Sequence, residues 1–303
     1  MTHYQLVSSN QRRSVVIVAF FILFIVGASY LMTLAFGYDI SIVAWALIFA
    51  GISSFIGYWW SDKIILAISN AKPATRGQYF DFYTTVENLC LGQRMPMPKL
   101  YVIEDKAINA FATGRNPENG VICATTGLLN RLNRAEIEGV MAHELSHIKN
   151  YDILLMSIVT VLVGVVALLS DWLLRMTWFG GRRRSNDKGS GGQIQLILLV
   201  AGILLALLSP LIAQLIKLAL SRSREFLSDA TAAAMTKNPE GLARALEKIS
   251  IDKQPLESAN KATAHLFITN PLKNHHDAIG LFSSFFQTHP PISQRVNKLR
   301  GIA

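Results

Sequence analysis

Four long apolar stretches alternate with polar ones along the chain, at residues 14–36, 40–60, 153–170 and 194–220. A helix needs about 20 apolar residues to cross a bilayer, and each stretch is close to that length. The pattern therefore predicts an α-helical membrane protein with about four hydrophobic segments, arranged as two hairpins.

Basic residues flank the first hairpin: Arg12 and Arg13 precede it, and Lys63 and Lys72 follow it. Lysine and arginine favour the cytoplasmic side of a membrane, so both ends of this hairpin are predicted to be cytoplasmic. A cleaved signal peptide is the alternative for residues 14–36, but its apolar core would be shorter. An uncleaved anchor is therefore the preferred interpretation.

The second hairpin is harder to orient because its loop, residues 171–193, is basic and contains Arg182-Arg183-Arg184. Two full crossings would put these charges outside the cell, against the tendency that orients the first hairpin. A shallow hairpin that does not cross is the alternative. Either arrangement returns the chain after residue 220 to the side on which residues 61–152 lie.

Residues 61–152 have the polarity of a water-soluble domain. Runs rich in β-branched and aromatic residues predict strands at 99–103, 107–113 and 121–125, and turn-forming residues at 114–120 join the last two into a hairpin. Helices are predicted at 64–69, 78–91, 239–251 and 292–299. An α+β domain with a small β-sheet is the expected result.

The domain organisation follows from this alternation. Residues 1–60 form the first membrane hairpin and residues 61–152 the first part of the α+β domain. Residues 153–220 form the second hydrophobic hairpin with its basic loop, and residues 221–303 complete the domain.

Two histidines four residues apart, in His143-Glu144-Leu145-Ser146-His147, carry the first sign of chemistry. On an α-helix such residues lie about 40° apart on one face, so both imidazoles can reach one metal ion. Glu144 is then placed to take a proton from a water on that metal, an arrangement typical of zinc metallopeptidases. Asn133 and Glu136 predict a capping box that starts the helix. Chance histidines on an exposed helix face are the alternative.

A catalytic zinc ion usually has three protein ligands, so a carboxylate is needed beside the two histidines. Glu225 is the best candidate, and Asp229 lies one turn further along the same predicted helix. Asp229 can accept a hydrogen bond from the ring nitrogen of a ligand histidine that does not bind the metal. The alternative is that both carboxylates belong to a solvated, charged turn.

Four segments in this order resemble the membrane-bound zinc metalloprotease family of the bacterial heat-shock protease HtpX, of which the CAAX prenyl proteases are more distant relatives. They are NAFA (109–112), HELSHIKNYD (143–152), SRSREFLSDA (221–230) and THPPISQR (288–295). The resemblance implies a gluzincin-like fold, zinc bound by His143, His147 and Glu225, and Glu144 as general base. It also implies an active site that faces the cytoplasm and a role in quality control of damaged membrane proteins.

Further residues enter through the same segments. The tetrahedral oxyanion of peptide hydrolysis needs a donor, and His289 is the candidate, with a loop histidine without a role as the alternative. Asn109 and Ala110 resemble the family's edge strand, which would pair with an extended substrate; a plain sheet edge is the alternative. Arg295 is expected either to orient Asp229 or the substrate, or to lie on a surface helix.

Composition agrees with a membrane protein, since 51% of the residues are hydrophobic and 16% are charged. The net charge is +9, and anionic lipid headgroups are the expected partners of the excess lysine and arginine. Nucleic acid is the rival partner, but the basic residues are dispersed and no nucleic-acid motif is visible. Cys90 and Cys123 are expected to be reduced, unpaired core thiols, with a single disulfide as the alternative.

The predicted function is that of a zinc metalloendopeptidase with one Zn²⁺ per chain, anchored by several spans in the bacterial inner membrane. It is expected to cleave misfolded or damaged membrane proteins at the cytoplasmic face; its partners are membrane lipids and protein substrates, and a homo-oligomer stays open. An intramembrane-cleaving metalloprotease is the first alternative, although charged residues around the histidine pair put the metal at or above the interface. A non-catalytic membrane scaffold is the second, and Glu144 argues against it.

Overall fold

The computed structural model describes residues 3–36, 39–165, 222–252, 254, 266–268 and 290–301. Most of the second predicted hairpin, its basic loop and His289 lie outside the described residues.

Two long helices, α1 (His3–Phe36) and α2 (Ser41–Ile68), pack against each other as the first hairpin. Many of their large apolar side chains are exposed, among them Val16, Leu23, Trp45 and Ile52. The helix predicted at 64–69 is confirmed for residues 64–68, but they form the last turns of α2 and not a separate element, because neither glycine nor proline interrupts the helix after Tyr58.

Within the described ranges, α2 is the helix that is long and apolar enough to cross a membrane by itself. A second span arises only if α5 (Arg134–Lys149) and α6 (Asp152–Val165), which meet at 84°, are taken together. The number of four crossings therefore stays a prediction.

A four-stranded mixed sheet follows the hairpin, in the order β1-β2-β4-β3. β1 (Lys72–Pro73) is antiparallel to β2 (Lys99–Ile103), which is parallel to β4 (Val121–Thr125). β3 (Ala110–Thr113) pairs antiparallel with β4, which confirms the predicted hairpin through residues 114–120.

The predicted strand at 107–113 begins only at Ala110. The reason is that the preceding backbone donates to side chains instead of to a neighbouring strand: Ala107 N–H to Asp105 Oδ1 at 3.0 Å, and Ile108 N–H to Asp252 Oδ2 at 2.8 Å. Strand β1 was missed because two residues carry no alternating pattern.

The sheet separates two hydrophobic cores, because successive side chains of a strand point to opposite faces. Ala110, Ala112, Ile122 and Ala124 face the core built around α5. Phe111 and Cys123 face the other core, which contains side chains of α1, α2 and α6 together with Leu266 and Phe267. The catalytic candidates and the hairpin therefore lie on opposite sides of the sheet.

Helix α5 lies at the centre of its core. It packs against α3 (Phe80–Gln93), β3, α7 (Arg222–Thr236) and α8 (Pro239–Ile251), and α9 (Ile292–Arg300) covers α7 and α8. The helix predicted at 239–251 is confirmed as α8. Asn238 caps it, with its side chain accepting from Gly241 N–H at 3.2 Å and Pro239 at the first helical position. The short α4 (Thr126–Arg131), capped by Thr125, links the sheet to α5.

No glycine or proline separates His147 from the third apolar stretch, so the sequence allows one continuous helix through both, but the structure does not form it. The helix breaks after Asn150, where Tyr151 adopts a left-handed conformation with φ of 59°. A residue in that conformation ends the helical hydrogen-bond ladder. α6 then leaves at 84° to α5.

Candidate metal centre

The capping box predicted at Asn133 and Glu136 is present at the start of α5. Asn133 Oδ1 accepts from Glu136 N–H at 3.0 Å, while Asn133 N–H donates to Glu136 Oε2 at 2.8 Å. Lys248 of α8 also donates to Glu136 at 2.7 Å. These bonds fix the start of the helix, which carries His143 and His147 two to four turns later into a buried position.

The structure brings His143, His147 and Glu225 together as a buried cluster that could hold a metal ion. The two Nε2 atoms lie 3.2 Å apart. Glu225 reaches them from α7, with Oε2 at 3.7 Å from Nε2 of His143 and Oε1 at 3.5 Å from Nε2 of His147. All three side chains are at most 4% exposed.

Each histidine is held from behind by a carboxylate. Nδ1 of His143 lies 3.0 Å from Asp229 Oδ1, and Nδ1 of His147 lies 3.1 Å from Asp152 Oδ2. A carboxylate at Nδ1 favours the tautomer with the proton there, which leaves the Nε2 lone pair free for a metal. Ser228 Oγ is also within 3.2 Å of His147 Nδ1.

Arg295 lies beneath this cluster and is fully buried, so the expected surface position does not apply. Its Nε and Nη2 atoms donate to the two oxygens of Asp229 at 2.8 and 2.6 Å, and Nη1 lies 3.7 Å from Glu225 Oε2. Burial by itself raises the pKa of Asp229, but Arg295 and His143 outweigh it and lower the pKa to about 2. Asp229 is therefore an anion at every physiological pH.

The pKa of His147 reflects the negative charge around it. Burial by itself lowers this pKa, but the hydrogen bond to Asp152 and the charges of Glu225, Asp152 and Glu144 raise it to about 9. In the metal-free chain the ring is protonated at neutral pH, so a metal ion that binds here displaces a proton.

Glu144 follows His143 on α5 and is 3% exposed, close enough for its charge to act on both His147 and Arg295.

The candidate substrate residues lie on β3 and just before it. Asn109 O accepts from Thr125 N–H at 3.0 Å, and Ala110 O accepts from Ile268 N–H at 3.2 Å. Part of this edge is thus already used by the chain itself.

Three residues of the site were missed as partners from the sequence: Asp152, Ser228 and Arg224, whose Nη1 lies 3.3 Å from Asp152 Oδ1. Asp152 ends the segment HELSHIKNYD, but on a continuous helix it would point away from His147, five residues earlier. The break at Tyr151 is what returns its carboxylate to the ring.

Comparison with known proteins decides the class to which this site belongs. Residues 82–303 match the family model described as Peptidase family M48. The chain belongs to this family. The Protease HtpX homologs of Thermoanaerobacter pseudethanolicus and Streptococcus uberis are 40% and 39% identical to it. The alignments cover 99% and 98% of the M48 chain, and 98% and 99% of the two homologs.

The resemblance to the HtpX family, stated from four sequence segments, is thereby confirmed. The crystal structure of S. mikatae Ste24p superposes on this M48 peptidase with a TM-score of 0.52, at 18% identity, and the match covers 98% of this chain and 67% of that one. At this identity the likeness shows a shared fold. The expectation of a metallopeptidase acting on protein substrates is confirmed at the level of the family.

Proposed function

We propose that this M48 peptidase is a zinc-dependent endopeptidase that cleaves misfolded or damaged membrane proteins at the cytoplasmic face of the bacterial inner membrane. One observation carries the proposal: two imidazole Nε2 atoms and one carboxylate converge within 3.2–3.7 Å in a buried site, and a carboxylate holds each ring from behind.

The donor set fits zinc. Tetrahedral Zn²⁺ binds nitrogen and oxygen at about 2.0–2.1 Å, so its ligand atoms lie about 3.3–3.4 Å from one another. The separations among His143, His147 and Glu225 are 3.2, 3.5 and 3.7 Å. Three protein ligands leave a fourth position for water, as in catalytic zinc sites generally. We therefore assign these residues as the ligands of one zinc ion per chain.

Zinc bound here would act as a Lewis acid that polarises the peptide carbonyl and lowers the pKa of water towards ~7. The chain's own residues supply the rest. Glu144, buried beside the ligands, takes the proton of the attacking water and passes it to the leaving nitrogen. His289, outside the described residues, stays our proposed donor to the oxyanion.

Asp229 and Asp152 act on the ligands and not on the substrate. Each accepts from the Nδ1–H of one histidine and so fixes its tautomer and ring angle. Arg295 in turn holds Asp229 through two parallel contacts. The ligands are thus oriented before metal and substrate arrive.

The proposed substrate strand, Asn109 and Ala110, already has a hydrogen-bond partner within the chain. Ile268 N–H already occupies the carbonyl of Ala110. An extended substrate that pairs with β3 therefore competes with Ile268 for this acceptor or uses groups further along the strand.

The membrane location is supported by α2, which is long and apolar enough to span, and by the exposed apolar side chains of α1 and α2. Intramembrane cleavage is the second candidate, since α5 and α6 together have the length and hydropathy of a broken span. The burial of α5 among α3, α7, α8 and the sheet favours cleavage outside the bilayer, because this helix contacts protein on all sides.

The decisive experiment replaces the proposed base. Glu144→Gln keeps the size of the side chain and the three ligands, so the purified variant should contain about one zinc per chain and lose proteolysis of casein or of a misfolded membrane protein. Glu138→Gln, the same change on the same helix outside the cluster, is the control and should cleave like the wild type. The zinc content per chain is measured by inductively coupled plasma mass spectrometry.

Cleavage retained by Glu144→Gln would mean that the base lies elsewhere. A wild-type chain that takes up no zinc after reconstitution would refute the metal assignment itself. Addition of a chelator should abolish the wild-type activity, and restored zinc should recover it.

A further inference from the structure

A cavity of about 480 Å³ lies where the end of α2 meets the sheet. None of its lining residues belongs to the metal cluster. Its walls come from three separate parts of the chain: the last apolar turns of α2, the start of β2 and the turn between β3 and β4. The volume is within the range of about 300–1,000 Å³ typical of ligand sites.

One wall of the cavity is aromatic. Phe55, Trp59 and Trp60 project from consecutive turns of α2, with the ring of Phe55 centred 6.1 Å from that of Trp59 and 5.9 Å from that of Trp60. Both tryptophans are more than 40% exposed. Tryptophan is enriched at the membrane–water interface because it combines an apolar body with a polar N–H.

Basic side chains line the cavity as well. Lys63, Lys99 and Arg115 line the cavity, against one carboxylate, Asp62. The guanidinium carbon of Arg115 lies 4.3 Å from the ring centre of Trp59. In the part of the chain that the structure describes, these three cations take part in no ion pair. Their charge is therefore available to an anion that enters the cavity.

The position of the cavity along α2 narrows the choice of anion. The apolar run of this helix ends at Trp60, and Ser61, Asp62 and Lys63 follow it. A helix in the bilayer places such a transition at the level of the phospholipid phosphates. The exposed apolar side chains of Ile48 and Ile52, one to two turns before Phe55, continue towards the acyl region.

We propose that this cavity binds the headgroup of an anionic phospholipid, with the phosphate at Lys63, Lys99 and Arg115 and the glycerol and first acyl carbons against Phe55, Trp59 and Trp60. The bound lipid ties the β3–β4 turn and the start of β2 to the membrane surface. It thereby seats the sheet, and the metal site behind it, at a fixed height above the bilayer. The proposal rests on the membrane location proposed for α2 but not on the peptidase reaction.

The test measures lipid binding to the full-length chain in a neutral detergent, by isothermal titration calorimetry. The probes are dihexanoyl phosphatidylglycerol, dihexanoyl phosphatidylcholine and inorganic phosphate. We expect saturable binding of the phosphatidylglycerol, at least about tenfold weaker binding of the other two, and weakening by salt.

The variant Lys99→Gln/Arg115→Gln removes two of the three cations and should weaken phosphatidylglycerol binding by about tenfold or more. Lys72→Gln/Arg76→Gln is the matched control: it removes one lysine and one arginine from the same region, and both are exposed and paired with Glu104 and Glu87. The control should bind within about twofold of the wild type, since surface ion pairs contribute little.

Arg115 contacts Trp59, so the single variant Lys99→Gln, at an exposed position, is measured as well and should weaken binding by several-fold. Equal binding of phosphatidylcholine would overturn the proposal in favour of an apolar lipid contact. Phosphate bound as tightly as the lipid would overturn it in favour of a free-anion site. If Lys99→Gln/Arg115→Gln and its control Lys72→Gln/Arg76→Gln lose phosphatidylglycerol binding equally, net charge would explain the loss, and the proposed site would be refuted. None of these results depends on proteolysis, so failure here is distinct from failure of the proposed function.

Discussion

At the scale of single residues, Arg295 shows how the site depends on buried charge. Burying a guanidinium with 0% exposure is unfavourable in free energy unless the charge is paired, and Arg295 is paired with both oxygens of Asp229. Asp229 in turn faces Nδ1 of His143. The contacts from Arg295 to Asp229 and from Asp229 to His143 fix one proposed ligand from a helix residue that lies 152 positions further along the sequence.

Arg295→Lys tests this chain of contacts. An ammonium group cannot make the two parallel contacts of a guanidinium, so His143 becomes less well oriented. We expect zinc affinity to fall by about 10–100-fold, measured by competition with a chelating dye. Arg300→Lys on the same helix, where the arginine pairs with Glu240 and Glu247 at the surface, is the control and should bind zinc normally. Unchanged affinity in Arg295→Lys would remove Arg295 from the positioning role.

At the scale of elements, the close contact between α5 and α8 explains why Gly139, a residue that forms helices poorly, lies within α5. A Cβ at Gly139 would lie 2.6 Å from the backbone nitrogen of Leu242 and 2.8 Å from its Cα. The glycine therefore lets the two helix backbones approach, and the approach holds α5 in its buried position.

Gly139→Ala should accordingly destabilise the domain, by about 1–3 kcal/mol, because backbone atoms of α8 would have to move. Gly92→Ala, in α3, is the control: no atom lies within 4 Å of its added Cβ, so alanine there should be neutral or slightly stabilising. Thermal unfolding of both variants in detergent, followed by circular dichroism, measures the difference. A Gly139→Ala midpoint equal to that of Gly92→Ala would contradict the close packing.

The break between α5 and α6 is a second feature at the scale of elements. Tyr151 has φ of 59°, a conformation that side chains with a Cβ rarely adopt. Nothing in the identity of a tyrosine predicts it. The hydrogen bond between His147 and Asp152 nevertheless depends on it, because it turns the chain directly after α5, and α6 leaves at 84°.

At the scale of the whole molecule, the sheet joins two structures of different polarity. Its one face packs on α5 and the proposed metal site, and its other face packs on the hairpin helices and α6. Ser157 of α6 strengthens the junction, since its hydroxyl lies 2.8 Å from Thr113 Oγ1 at the end of β3. The proposed active site is thus connected through packed side chains to the proposed membrane anchor.

The topology of the anchor gives a prediction for the intact cell. If α1 and α2 cross as a hairpin with cytoplasmic ends, a green fluorescent protein fused after Ala303 should fluoresce, and an alkaline phosphatase at the same position should be inactive. Alkaline phosphatase inserted after Asp39, between the two helices, is the control and should be active. Active phosphatase after Ala303 would reverse the proposed orientation.

The sequence by itself determined the features that depend on neighbours a few residues apart. The spacing of His143, Glu144 and His147, the capping box at Asn133, the hairpin of β3 and β4, and the helix beginning at Pro239 all follow from local periodicity and turn chemistry. The lengths of the apolar stretches are likewise a property of the sequence alone.

Only the tertiary structure decided which distant groups meet. The carboxylates behind the histidines, the burial of Arg295, the order of the strands and the position of Ile268 on β3 each join segments far apart in the chain. Such contacts are selected by packing and by the cost of burying an unpaired charge, and both act on the folded molecule as a whole. A sequence pattern records the candidates, whereas the fold fixes their partners.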